Sequence, residues 1–429
     1  MALLLRGARV VDPLASVDRV ADVIVRDGRI VEIGEDLSIP KGETIECAGK
    51  VVLPGLVDIH THLREPGRED EETIVTGTRA AARGGFTAIC AMPNTDPVAD
   101  DASAIRYVIE TAAREGTVRV YPLGALTMKQ RGESLAEIGE MVIAGAVAFS
   151  DDGHGVAEAG MMRRAMDYAK TFDTTVVSHC EDESLVGRGV ANEGVVSTRL
   201  GLPGWPAAAE EIMVARDIRL AELTGCRLHL AHISTKGSVE LVRAAKSRGL
   251  AVTCEVTPHH LFLTEDALVD YDTNLKMNPP LRTQEDANAL RAGLLDGTVD
   301  AIATDHAPHA AHEKELEFEL APFGTTGLET ALSLVATHLI ARDVLGWEVV
   351  ANLMCHGPRR CLGLPEVRIE PGAIADVTIV DPEARVEVRA DAFASKSRNS
   401  AFLGQRLLGK ATEVLVGGQF ALKNGKVVE

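Results

Sequence analysis

The stretch 51–64, VVLPGLVDIHTHLR, decides how the rest of the chain is read. A Pro-Gly pair leads into a short apolar run, Gly55-Leu56-Val57-Asp58-Ile59, which ends at His60-Thr61-His62. In a strand, residues i and i+2 share a face, so His60 and His62 would aim two imidazoles at one point. Imidazole is the commonest protein metal ligand near neutral pH, where it is largely deprotonated. Taken alone, the pair is as consistent with a polar strand end as with a metal site. The surrounding chain decides, because it supplies further His and Asp residues, each closing its own apolar run.

Residues 54–365 repeat that pattern eight times. The strand-like runs are Gly55–His62, Phe86–Pro93, Val118–Leu126, Val147–Asp152, Thr175–Cys180, Arg227–Ser234, Ala251–Pro258 and Val299–His306. Most are rich in β-branched residues, as strands covered on both faces should be. Helical patterns separate them. Glu71–Arg83, for example, carries Ile74, Gly77, Thr78 and Ala81 at helical spacing and stops at Gly84-Gly85. Strands and helices alternating in this way fit a (β/α)8 barrel. An open doubly wound sheet would usually carry a Gly-rich phosphate turn after its first strand, and none follows here.

The two ends read as β structure. Leu3–Val11, Val20–Arg26, Arg29–Ile33 and Glu43–Glu46 precede the barrel, with Asp27-Gly28 as a hairpin turn. Ala375–Val380, Arg385–Arg389, Glu413–Val416 and Gln419–Leu422 follow it, with a turn at 423–426. The expected architecture is therefore α/β: a TIM-type barrel over 54–365 and a small β-sandwich domain built from both chain ends, 1–53 and 366–429.

Composition narrows the function. The 429 residues carry a formal net charge of -19, which disfavours phosphate backbones and anionic lipid but not an anionic small substrate in a local cationic pocket. The seven cysteines are scattered without a CxxC pair, as expected of reduced thiols in a cytosolic protein. Leu3-Leu4-Leu5 is broken by Arg6, too short for a signal peptide, and no apolar run approaches the ~18 residues of a membrane helix.

Polar residues punctuate the strand ends. His60, His62 and Arg64 follow the first strand and Asn94 the second. The fourth ends in Asp151-Asp152, the fifth in His179, the sixth in His232, the seventh in His259-His260, and the eighth in Asp305-His306, with His309 beyond. In a barrel all these ends meet on one face, where active sites sit. Four imidazoles and two carboxylates exceed one tetrahedral zinc and suit two metals bridged by a carboxylate. Nitrogen and oxygen ligands favour zinc, with manganese, cobalt or iron as alternatives. Two dications acidify a water between them and polarise a carbonyl, which is machinery for attacking an amide or ester. Asp305 can take the water's proton and pass it to a leaving nitrogen.

At this point the residues carry a resemblance. DIHTHLREPG, AMPNTDP, FSDDG, SHCED, LAHIST, VTPHHL, LKMNPPLR, ATDHAPH and PFGTTGLE resemble the class I bacterial dihydroorotase family of the amidohydrolase superfamily, as do SKSRNSAFLG and GQFALKNGKV. The match spans nearly the whole chain. It implies one metal on His60, His62 and Asp305, another on His179 and His232, and Asp152 bridging them, with two zinc ions expected per chain. Related hydantoinases use a carbamylated Lys as the bridge, and FSDDG offers none. Strand parity alone does not choose between Asp151 and Asp152; the resemblance selects Asp152. It also implies a cyclic substrate, dihydroorotate, whose carboxylate would meet Arg64, Asn94 and His309, with His62 at its side. The ring's polar edge would meet Asn278 and the backbone of Phe323 and Gly324. The charged stretch from Ala310 to Phe323 reads as a mobile loop over the substrate.

The implied activity is reversible interconversion of dihydroorotate and N-carbamoyl-L-aspartate in pyrimidine synthesis, by a cytoplasmic homo-oligomer open to a complex with aspartate transcarbamoylase. A hydantoinase, dihydropyrimidinase or allantoinase is the enzyme alternative, disfavoured by Arg64, Asn94 and the missing Lys. An inactive scaffold for the transcarbamoylase should have lost metal ligands, and all six are present. His338 is expected to be structural. His154, His229, His312 and His356 read as packing or surface residues, Cys180 as a packed thiol, and His259-His260 as support. Asp58 shares the parity of His60 and stays open as a buried supporting group.

Overall fold

The structure, a computed structural model, describes residues 2–428. Nine strands from the two chain ends make one sheet. β1 (Ala2–Asp12), β2 (Val17–Arg26), β3 (Arg29–Gly34), β4 (Glu43–Glu46) and β5 (Val51–Pro54) come first. They are joined by β16 (Val377–Glu387), β17 (Arg406–Val416), β18 (Gln419–Lys423) and β19 (Lys426–Val427) in the order β19-β18-β17-β16-β5-β1-β2-β3, with β4 on β1. Both hairpin turns form as their residues dictate: Asp27, Gly28, Asn424 and Gly425 all take positive φ. The C-terminal strands are longer than their apolar runs, because β16 absorbs the expected 375–380 and 385–389 runs across an irregularity at 381–385.

β5 is the seam of the molecule. It lies parallel to β1 through Val51 and Val52 and antiparallel to β16 through Val51–Pro54. Its side chains alternate as a strand requires. Val52 enters the sheet's own core with Leu5, Val23, Val377 and Ile379, while Val51 and Leu53 enter the barrel core with Leu56 and Phe86.

All eight barrel strands occur: β6 (Leu56–Thr61), β7 (Phe86–Ala91), β8 (Arg119–Pro122), β9 (Ala148–Ser150), β10 (Thr175–Ser178), β13 (Arg227–Leu230), β14 (Val252–Val256) and β15 (Ala301–Ile302). A two-residue pair, β11 (Ala191–Asn192) with β12 (Gly204–Trp205), lies in the connection after β10. β6, β7 and β8 pair in parallel, as do β9, β10, β13, β14 and β15. Bridges Gly124↔Phe149 and Thr61↔His306 join the two arcs into a closed barrel. The helix after the first strand spans Ile74–Gly84, three residues later than its pattern suggested, because Thr73 caps it and accepts from the Thr76 N–H. The C-cap is Gly85 at φ 97.

The sheet is tied to the barrel by two ion pairs, one half-buried and one buried. Arg119 at the base of β8 makes a bidentate pair with Asp376, at 3.1 and 3.0 Å. Asp12, at the end of β1, accepts from His356 Nε2 at 3.0 Å and from the backbone N–H groups of Ile369, Leu14 and Ala15. Burial drags on the His356 proton, but Asp12 holds its pKa up at about 9; burial works likewise against the Asp12 charge, and His356 with the Ile369 N–H keeps that carboxyl below its ordinary value.

Asp12→Ala strands a buried imidazolium and three N–H groups, and should cost about 3–5 kcal/mol in denaturant unfolding. His356 has a raised folded pKa, so its share is complete below about pH 6.5 and disappears as pH climbs through about 9. The Asp12 share is present above about pH 4 and lost in acid. The gap between wild type and variant should therefore be largest near pH 5–6.5 and shrink by pH 9.

Candidate metal centre and substrate cavity

The strand ends deliver the six candidate ligands to one point. His60 is fully buried, with Nδ1–H donating to Glu255 at 2.6 Å. Its Nε2 faces Asp152 Oδ1 at 3.3 Å and Asp305 Oδ1 at 3.6 Å. His62 donates Nδ1–H to Asn94 at 2.8 Å and turns Nε2 to Asp305 Oδ1 at 3.0 Å and Asp152 Oδ2 at 3.5 Å. His179 donates Nε2–H to Glu181 at 2.9 Å, leaving Nδ1 at 2.8 Å from His232 Nε2 and 3.4 Å from Asp152 Oδ1. His232 Nε2 is 3.4 Å from the same oxygen. In three of the four rings the outer nitrogen is fixed by a partner, which aims the other nitrogen's lone pair inward, as metal-binding imidazoles require.

A cation fits this donor set. His60 Nε2 and Asp152 Oδ1 are buried without a hydrogen-bond partner, although unpaired buried polar atoms are costly. Ligand atoms of His60, His62 and Asp305 lie within 4.8 Å of one another, as do those of His60, Asp152 and His232. Burial opposes the Asp152 charge, but His60 and its neighbouring imidazoles hold its pKa well below the carboxylate range. His232, Asp305 and Arg64 adopt φ of 30, 47 and 61. Backbone in that region costs non-glycine residues of order 1–3 kcal/mol each and is retained where function over-determines it.

The two adjacent carboxylates face opposite ways. Asp151 turns away from the cavity and accepts from the N–H groups of Leu126 and Thr127 at 2.8 and 3.1 Å, and from the Thr127 hydroxyl. Asp152 faces the imidazoles.

A cavity of about 310 Å³ opens above the cluster, lined by every expected substrate residue: His62, Arg64, Asn94, Asn278, His309, Phe323 and Gly324. Arg64 is buried, with Nε 3.2 Å from the Pro308 carbonyl and 3.0 Å from Glu71; its Nη1 makes no hydrogen bond among the described residues. His309 donates Nε2–H to the Phe323 carbonyl at 2.7 Å. The Gly324 N–H is spent on the Lys276 carbonyl at 2.7 Å, and the Gly324 carbonyl accepts from Asn399 at 3.2 Å. Gly324 has φ +123, and a Cβ there would lie 2.6 Å from the Ala307 Cβ. The stretch 310–323 is docked, with a short helix at Ala311–Lys314 and Phe318 buried among Leu275, Met277 and Leu281. Phe318 supplies the core contact that its charged surroundings concealed.

The supporting residues sort themselves. Asp58 accepts from the N–H groups of His60 and Thr304. His260 holds the Pro279 carbonyl at 2.9 Å, next to Asn278, while His259 Nε2 is buried and unpartnered. His229 bonds Thr253 and Glu255, and His154 sits at the cavity rim, exposed, 3.6 Å from Glu183. Glu255, Glu181 and Asn399 escaped the sequence reading. Glu255 left a signal as the lone charge inside the β14 run, and Glu181 shares parity with His179. Asn399 lies in the SKSRNSAFLG motif, which gave no role for it: it binds the His309 N–H and the carbonyls of Ala307 and Gly324 from a distant loop.

Comparison with known proteins agrees with this geometry. A family model described as dihydro-orotase-like matches residues 49–238. The chain is 53% identical to a dihydroorotase of Pelotomaculum thermopropionicum over 424 residues, 99% of each chain. It is 51% identical to one from Geobacter metallireducens, covering 99% of this chain and all of the relative. Among solved structures, L-hydantoinase (dihydropyrimidinase) from Arthrobacter aurescens superposes with a TM-score of 0.90 at 26% identity, over 100% of this chain and 97% of that one. Dihydropyrimidinase from Brevibacillus agri shares the fold at 0.87 and 23% identity, over 100% and 96%. Barrel, sheet domain and histidine–carboxylate cluster define an amidohydrolase with a metal centre, a hydrolase of cyclic amide C–N bonds. The chain belongs to the dihydroorotase family. Among the described residues no helix is long and apolar enough to cross a membrane.

Glu255 touches candidate ligands of both halves of the cluster, through His60 Nδ1 and, at 3.3 Å, the His232 N–H. Glu255→Gln should lower divalent-metal affinity about 10–100-fold, read by competition with a chromogenic chelator.

Proposed function

We propose that the chain interconverts dihydroorotate and N-carbamoyl-L-aspartate with two zinc ions, one on His60, His62 and Asp305, the other on His179 and His232, with Asp152 between them. The observation that carries this reading is the convergence of six donor groups, two of them bearing orphaned buried atoms, beneath a cavity that holds a buried arginine. Divalent ions bound there would acidify a water and polarise the amide carbonyl. The chain's own residues do the rest. Arg64 and Asn94 donate to the substrate carboxylate, the Arg fork giving it two parallel donors, and His309 meets it once its Nε2–H leaves the Phe323 carbonyl. Asn278 and the Phe323–Gly324 backbone meet the polar edge of the ring. Asp305 takes the proton of the attacking water and returns it to the ring nitrogen as the C–N bond breaks; in the reverse direction it receives that proton from the ureido nitrogen.

The absence of any lysine among the cavity-lining residues favours an aspartate bridge over a carbamylated one. The same reading divides the chain at 53 and 366 into β, barrel and β segments. It takes the enzyme as a cytoplasmic homo-oligomer, with aspartate transcarbamoylase as the partner to test. Hydrolysis of dihydroorotate, restored to chelated protein by zinc, tests the function; preference for dihydrouracil or allantoin would overturn it.

Asp305→Asn should lose about 10²–10⁴-fold in turnover while retaining most of its metal, measured by elemental analysis alongside kcat. Near wild-type turnover would remove the proton-shuttle role. Asp152→Ala should empty the His179–His232 position and abolish activity, whereas Asp151→Ala should lower Tm and keep its metal. Reconstitution of metal-free wild type should not depend on bicarbonate.

A further inference from the structure

Behind the Phe323–Gly324 wall lie two buried lysines outside the metal cluster. Lys276 is 2% exposed and Lys314 8%, and neither has a carboxylate within ion-pair distance among the described residues. An ammonium taken out of water without a counter-ion is costly unless its donors are satisfied. Here backbone carbonyls satisfy them. Lys276 Nζ donates to Glu319 and Ala321 at 2.9 and 2.7 Å, and Lys314 Nζ donates to Pro322 at 2.8 Å. Lys276 also stands 4.5 Å from the centre of the Phe323 ring, within cation–π range, while its own carbonyl accepts from Gly324. The Thr273 hydroxyl holds the Lys314 carbonyl. Every one of these contacts ends on residues 314–324.

We propose that Lys276 and Lys314 are positioning residues: their ammonium groups clamp residues 319–322 from behind and so hold the Phe323–Gly324 wall where it receives the substrate. This rests on the reading of that wall as a substrate contact. The clamp explains why a charged, acidic stretch lies folded down over the cavity. It also makes substrate binding depend on pH. Burial lowers Lys276 to about 8 against the pull of Glu319. Burial and the like charge of Lys276 lower Lys314 to about 7, against Asp272 and Glu313. Glu181 and Arg188 line the adjoining cavity beside Lys276, and His309, kept neutral by burial, Arg64 and Lys314, faces from the substrate side. Both groups are charged below pH 7, and the clamp weakens as pH rises through 7 to 8.

The test uses the full-length, metal-loaded enzyme with dihydroorotate as substrate, and the variants Lys276→Met and Lys314→Met, which keep an unbranched apolar stem. At pH 6.5 each should raise KM about tenfold, the scale of one charge-assisted hydrogen bond, with kcat within about twofold and metal content unchanged. Wild-type KM should rise between pH 6.5 and 8.5, and this rise should flatten in the variants. A glutamate-specific protease should cut the Glu313–Glu319 stretch faster in the variants, without substrate present. Lys314 is the more exposed of the two and its ammonium holds one carbonyl rather than two, so its variant stands if Lys276→Met fails to fold. Wild-type KM and pH profile in the Lys314 variant would overturn the proposal, as would a raised KM with unchanged cleavage, since the charges would then act without the clamp. Gly324→Ala keeps both lysines and tests the wall alone. If it leaves KM unchanged, the wall reading fails; if it raises KM while the lysine variants do not, the clamp fails and the wall stands.

Discussion

The site depends on closing the first barrel strand against the last. The Thr61↔His306 bridge and the His62 N–H to His306 carbonyl bond, at 2.9 Å, bring residues far apart in sequence side by side. Asp58 reinforces the join by accepting from Thr304 and from His60. Only with that seam shut do the His60-Thr61-His62 pair and Asp305 share one end of the barrel. A barrel has no free sheet edge, so this closure also removes the strand that an open sheet would leave exposed.

Around that seam the electrostatics are inverted relative to an ordinary core. Four imidazoles meet Asp152, Asp305, Glu255 and Glu181 in a region nearly cut off from water. Carboxylates in such surroundings would normally be neutralised by proton uptake. Burial pushes the nearby Asp58 and Asp151 up to about 6, whereas Asp152 and Glu255, placed against imidazoles, go down despite burial. Buried carboxylates are thus divided by what they face: backbone N–H groups in one set, imidazole rings in the other.

Much of this was legible in the sequence, because barrel strands are short, apolar and terminated by the residues that matter. His60, His62, His179, His232 and Asp305 could be placed by strand ends alone. Asp152 could not, since two adjacent carboxylates at a strand end leave parity open; the Leu126 and Thr127 donors that capture Asp151 come from another loop. Glu255, a lone charge inside a strand, gains its meaning only from His60 across the barrel. Asn399 and the two lysines behind Phe323 act through backbone carbonyls, and a carbonyl leaves no mark in a sequence. The length of β16 and β17 was missed because the outer half of β16 is polar and the two outer halves are held by pairing with each other.

The seam strand β5 has a consequence for how the chain is made. One edge of Val51–Pro54 pairs at once with β1, which precedes it. The other edge belongs to β16, whose first residue is 377. At ~5–20 residues per second, synthesis of the intervening barrel takes on the order of tens of seconds. During that interval a row of apolar residues with unpaired N–H and C=O groups has no partner from its own chain, although the first barrel strand, β6, begins immediately after it. The barrel must therefore assemble on a half-finished platform. The ribosome-bound intermediate presents an open β edge that nascent-chain chaperones, or a neighbouring copy of the same chain, can occupy before the C-terminal strands arrive.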